Sequence, residues 1–169
     1  MTTAAHHPAG TGPHHLMLGT DVTSRLLGGD ETDDELALIE ATAPPGGGPG
    51  LHVDPWRESF YVLHSELTFE VHDDAGSHRF AARRGDAVSI PRGAAHAFKI
   101  TGIDEARFLV FSVPAGLERF FADAGEPLAE PALPFEPHAP DRERLLAAFA
   151  AHGLQPFTPG DPADTRVDA

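Results

Sequence analysis

The sequence predicts an all-β sandwich or barrel, on three observations. Gly 17 and Pro 16 make up about a fifth of the 169 residues, too rich in turn formers for a helical bundle. From Leu16 to Val113 the apolar residues fall in short runs separated by turn signals, the pattern of about nine short strands in one domain. Helical periodicity is confined to the last third of the chain, where Leu117, Phe120, Phe121 and Ala124 share one face.

Taken in order, residues 1–15 form a Gly/Pro/Thr-rich arm carrying His6, His7, His14 and His15, and lacking apolar periodicity. A frayed terminus is expected there. Leu16–Leu18 and Ser24–Leu27 are short enough for edge strands, and Asp30–Glu35 is an acidic, solvated loop. Leu36–Thr42 is a strand stopped by Pro44–Gly50, which combines missing amide donors with unrestricted φ and so admits no regular element. His52–Asp54, Glu58–His64, Leu67–His72, His78–Ala82, Ala87–Ile90, Ala95–Ile100 and Arg107–Val113 follow as strands, with a hairpin loop at Asp73–Ser77 and turns at Gly85-Asp86 and Pro91–Gly93. A helix over Leu117–Ala124 ends at Gly125. A second spans Asp141–His152, with Asp141 as N-cap and Gly153 as stop. The prolines between them mark a linker. The expected organisation is an arm (1–15), a β-barrel (16–113), a helical extension packed outside it (114–156) and a flexible tail (157–169).

Composition excludes several classes. The formal net charge of −14 repels phosphate backbones and anionic lipids, so neither nucleic acid nor a membrane is an expected partner. The absence of cysteine excludes disulfides, zinc–thiolate and iron–sulfur sites and thiol nucleophiles. No apolar run approaches a spanning helix and no signal-like segment opens the chain, so a soluble, cytoplasmic protein is expected.

Two constellations carry chemistry. The first is His52-x-Asp54-x3-Glu58; the second is Gly85-x5-Pro91-x-Gly93-x2-His96. Residues two apart on a strand share a face, so His52 and Asp54 project together. Glu58 has the parity of Phe60 and Val62, and His96 that of Phe98 and Ile100, which turns both toward the core. Two imidazoles and two carboxylates converging in an apolar barrel are a site for one divalent ion per chain: Fe, Ni, Mn, Co or Zn. Asp54 has a second reading, as a turn cap before Pro55. Phe60, Phe98 and Trp56 are candidates for the substrate pocket.

These motifs resemble those of the cupin superfamily, whose first motif is G-x5-H-x-H-x3-4-E-x6-G and whose second is G-x5-P-x-G-x2-H-x3-N. Pro49–Leu63 is similar to the first and Gly85–Phe98 to the second almost throughout. Three positions depart: Asp54 replaces the second histidine, Ser65 the closing glycine, and Ile100 the closing asparagine. The resemblance implies a double-stranded β-helix, or jelly-roll barrel, and a metal held by His52, Asp54, Glu58 and His96. The extra negative charge of Asp54 favours harder cations. The run Arg107–Phe121 resembles the quercetin 2,3-dioxygenase-like subgroup. That implies a dioxygenase acting on a small aromatic or polyketide-like molecule, with Glu58 as the catalytic ligand or proton acceptor. A redox-neutral isomerase, cyclase or decarboxylase is the alternative, and a non-catalytic small-molecule binder a third. Pairing through edge strands, common in such barrels, leads to the expectation of a homodimer.

Overall fold

The computed structural model describes residues 4–133 and 136–159. Its strands are β1 (His14–Met17), β2 (Asp21–Leu27), β3 (Ala37–Ala43), β4 (His52–Val53), β5 (Arg57–His64), β6 (Glu66–Asp73), β7 (Gly76–Arg83), β8 (Ala87–Ile90), β9 (Ala95–Ile100) and β10 (Ala106–Val113). Helix α1 (Leu117–Ala124), β11 (Glu126–Leu128), α2 (Arg142–His152) and β12 (Gln155–Pro156) complete it. Two antiparallel sheets face each other, in the orders β11-β1-β2-β3-β10-β5-β8 and β12-β4-β9-β6-β7. This is the jelly-roll barrel of the cupin fold.

Strict alternation builds the interior. β3 buries Ala37, Ile39, Ala41 and Ala43, β6 buries Leu67, Phe69 and Val71, and β10 buries Ala106, Phe108, Val110 and Ser112. On β5 the same parity turns Glu58 inward with Phe60 and Val62. Phe60, Phe69, Phe98 and Phe108 meet in mutual edge-on and tilted contacts at centroid distances of 5.1–6.2 Å, the favourable geometries for aromatic quadrupoles.

The structure departs from the sequence expectations at the ends of the chain. His14 and His15 belong to β1 rather than to an arm; His14 is buried and its Nδ1 lies 2.8 Å from Ser24 Oγ. Upstream of it, His7 pairs with Glu31 at 2.6 Å, and Arg25 N–H donates to the Pro13 carbonyl. Leu16–Leu18 and Ser24–Leu27 are not exposed edges, because β11 covers β1 and β2 lies between β1 and β3. β11 comes from the proline-marked linker, where Pro127 occupies the sheet's outer strand and so deprives no inner strand of a donor. In the tail, Phe157 N–H donates to the Leu51 carbonyl; residues 160–169 lie outside those described.

Both helices sit where their termini were expected. Asp141 caps α2 by accepting from Arg144 N–H, and Gly153 ends it in the left-handed region at φ 76°. The helices pack on each other, and both line a cavity that they share with the strands. Phe120 and Phe149 meet edge-on at 5.5 Å, and Leu117, Leu145 and Leu154 face the interior. Among the described residues no helix is long and apolar enough to cross a membrane.

Candidate metal centre

His52 and His96 are direct partners across the β4–β9 ladder, which puts both imidazoles on one face with centroids 4.5 Å apart. Asp54 follows two residues after His52, and its carbonyl accepts from Gly93 N–H, tying the Pro91–Gly93 turn to the same corner. Gly93 adopts φ 80°, a conformation that favours glycine and accounts for that position in the second motif. Glu58 enters from β5 in the facing sheet. One ligand atom from each of His52, Asp54 and His96 lies within 4.8 Å of the others.

The tautomers are set by the backbone. His52 Nδ1 lies 2.8 Å from the Gly50 carbonyl and His96 Nδ1 3.2 Å from the Ala94 carbonyl. With each Nδ1–H donated to a carbonyl, both Nε2 atoms point to the shared centre, the arrangement that orients ligating histidines. Asp54 Oδ2 stands 3.5 Å from His52 Nε2 and 3.7 Å from His96 Nε2. Both its oxygens are buried and, among the described residues, make no close hydrogen bond, the nearest donors being these two ring nitrogens. Leaving a carboxylate so placed is costly, and a cation between it and the two imidazoles removes the cost. The donor set of two nitrogens and carboxylate oxygen therefore fits a divalent first-row metal.

Glu58 stands beside this group rather than within it. Its Oε2 lies 3.2 Å from His96 Nε2, and its Oε1 accepts from Trp56 Nε1–H at 3.2 Å. Burial and then the neighbouring Asp54 charge push the Glu58 carboxyl above the usual carboxylate range. Burial also pulls His52 down, but Asp54, with Glu58 and the Gly50 carbonyl, outweighs it and carries the imidazole up to about 9. A group of this kind holds protons when metal-free and exchanges them for a cation.

The centre opens into a cavity of about 280 Å³ between the sheets and under α1 and α2. Phe60, Phe98 and Phe108 line it from the barrel, and Leu117, Phe120 and Phe149 from the helices. Trp56, expected against substrate, instead lies buried behind Glu58, with the backbone of Gly116 packed on its ring. Sequence reasoning missed the helical roof, since an apolar helix face does not say what it covers. It also missed Asp21 and Thr23, two buried polar residues that line the cavity from β2. Asp21 stands at the start of a strand, where a polar residue gives no signal.

Comparison with known proteins agrees with this fold. Residues 39–112 match the Cupin_2 family, described as a cupin domain. Among solved structures, the oxalate decarboxylase of Bacillus subtilis at pH 4.6 superposes with a TM-score of 0.54 at 18% identity, over 65% of this chain and 31% of that one. A structure of the same enzyme described for its Mn(II) centres gives 0.55 at 18% identity, over 66% and 31%. An oxalate oxidase gives 0.50 at 23% identity, over 58% and 54%. The chain thus spans about a third of the length of the decarboxylase it matches. No curated protein matches it in sequence.

Proposed function

We propose that this chain is a mononuclear metal-dependent cupin enzyme of the cytoplasm, acting on a small aromatic or polyketide-like molecule that bears an enolic or phenolic hydroxyl. The observation that carries the reading is the buried Asp54 carboxylate facing two backbone-oriented imidazoles, with no close hydrogen bond to it among the described residues. His52, Asp54 and His96 would hold the ion, with Glu58 beside them. The bound ion supplies Lewis acidity to the substrate's oxygen and, if redox-active, a route for the substrate to react with O₂. Glu58, its carboxyl pushed up by burial, receives the hydroxyl proton as the oxygen approaches the centre, and Trp56 Nε1–H fixes the carboxylate that does so. The aromatic walls and helical roof keep bulk water from the reacting end.

The cavity favours such a substrate over a small dianion. Among the described residues its lining has no Arg or Lys, while Asp21, Asp54 and Glu58 contribute carboxyls. An apolar wall of this kind suits a planar, mostly hydrocarbon molecule. The finer assignment is a quercetinase-like dioxygenase; the redox-neutral alternative, an isomerase, cyclase or decarboxylase, would use the same ligands with a metal such as Zn. Assembly as a homodimer belongs to the same proposal. The outer face of the β10–β5–β8 sheet carries the exposed Tyr61 and Val113, and a strictly monomeric mass by light scattering would remove that part.

Elemental analysis of untagged protein, followed by oxygen uptake with a flavonol, tests the assignment. Stoichiometric redox-active metal with one O₂ consumed per flavonol supports the dioxygenase. Stoichiometric zinc without uptake supports the redox-neutral enzyme. No metal after reconstitution contradicts both.

A further inference from the structure

The cavity is apolar except at two places, and only one of them is the metal centre. The second is on β2, where Asp21 and Thr23, two residues apart, share the inward face and line the cavity. Strands β3 and β10 separate β2 from β5, the strand that carries Glu58. The registers run Val22–Thr42–Arg107–His64 at one end of these strands and Ala37–Ser112–Glu58 at the other, so Asp21 and Glu58 stand at opposite ends as well as on different strands. The two polar places thus sit on different walls of one cavity.

Both β2 side chains present acceptors. Asp21 Oδ1 accepts from Thr20 Oγ1–H at 2.7 Å, and Thr23 Oγ1–H donates to the His15 carbonyl at 3.4 Å, leaving its lone pairs. Lys99, whose charge acts on Asp21, spends its ammonium on the Gly48 carbonyl at 2.6 Å. The Asp21 carboxyl is therefore buried against apolar walls with no cation bonded to it, and burial lifts it above the usual carboxylate range despite Thr20 and Gly48. A carboxyl in such a place is stabilised by a donor that enters with the ligand.

We propose that Asp21 is a specificity-determining residue that, with Thr23, accepts a hydrogen bond from a hydroxyl at the end of the substrate remote from the metal. The inference rests on the reading in which the first hydroxyl is anchored at His52, Asp54 and His96. It narrows the substrate to a bicyclic or comparably long aromatic with oxygen functions at both ends, the second a donor. A methyl ether at that end brings no donor to the buried Asp21 carboxyl while shutting water away from it, and is rejected.

Binding of 2,6-dihydroxynaphthalene and 6-methoxy-2-naphthol to the metal-reconstituted protein, measured by calorimetry, tests it. The diol should bind at least about tenfold more tightly in the wild type. In Asp21→Leu the two affinities should come within about twofold. In Asp21→Asn, whose amide can donate, the preference should move toward the methyl ether, a change that a purely structural role for Asp21 would not produce. His96→Ala separates this inference from the one it rests on, because it should weaken both probes alike while keeping their ratio. An unaltered ratio in both Asp21 variants overturns the proposal even if His96→Ala weakens both probes. Failure of the diol to bind the wild type, or equal binding of the two probes to it, overturns it as well. If the ratio collapses in Asp21→Leu while His96→Ala leaves both affinities untouched, Asp21 stands and the metal anchor falls.

Discussion

Substituting Asp54 by Asn in the metal-free protein removes one negative charge and little else, since the two side chains are nearly isosteric. In the wild type, Asp54 Oδ2 sits 3.5 Å from His52 Nε2 and is the main reason that imidazole reaches about 9 in spite of burial. Carrying a histidine from its ordinary 6.5 to about 9 corresponds to about 3 kcal/mol, and the His52 side chain is only 12% exposed, so solvent screens little of it. A folded-state value above the unfolded one stabilises the fold fully below about 6.5, and that contribution is lost as pH rises through about 9. Glu58, also raised, contributes with the same sign at lower pH. Metal-free wild type should therefore lose about 3 kcal/mol between pH 6 and 10 from this site. In Asp54→Asn less than half of that slope should remain. Urea denaturation in the presence of a chelator at closely spaced pH values measures it. An equal slope in the two proteins would refute the assignment of the shift to Asp54.

Three further outcomes follow from particular residues. Ser65 holds φ 67°, the left-handed region that the superfamily's glycine would occupy without strain; Ser65→Gly should raise the unfolding free energy by about 0.5–1 kcal/mol, the relief exceeding the loss of its exposed hydrogen bond to the Asp104 carbonyl. Asp54→His restores the motif's imidazole and should move metal preference toward softer ions in competition dialysis, with occupancy kept. Deleting residues 1–14 removes the His14–Ser24 and Pro13–Arg25 hydrogen bonds and one rung of β1, and should cost about 2 kcal/mol in thermal or urea unfolding; deleting residues 1–6 should leave the melting temperature unchanged.

Much of the barrel was legible because its strands alternate strictly. Ala37–Ala43, Glu58–His64 and Ala106–Val113 each place every second side chain in the core, and the same parity turns Glu58 and His96 inward. Gly93 and Gly153 were readable as turn and cap because their backbone needs a positive φ. Less legible were features set by distant chain segments. Nothing local in Glu126–Leu128 announces a strand; it becomes one only because β1 offers an unpaired edge. Trp56 has the composition of a pocket residue, but Gly116 packs on its ring and Glu58 takes its N–H, so it supports the site from behind. Asp21 was silent for the opposite reason: what makes it unusual is the cavity around it, built from the barrel, the helices and the Pro44–Gly50 segment together.

In the proposed function one ion is held by His52, Asp54 and His96, with Glu58 at its side. Metal content of the reconstituted protein and of its four single Ala variants, determined by elemental mass spectrometry on folded, untagged material, tests it most directly. The wild type should carry about one ion per chain. His52→Ala and His96→Ala should be nearly empty, Asp54→Ala should fall between them and wild type, and Glu58→Ala should lose occupancy through the released His96. Occupancy unchanged in all four variants would contradict the claim and place any bound metal elsewhere on the chain.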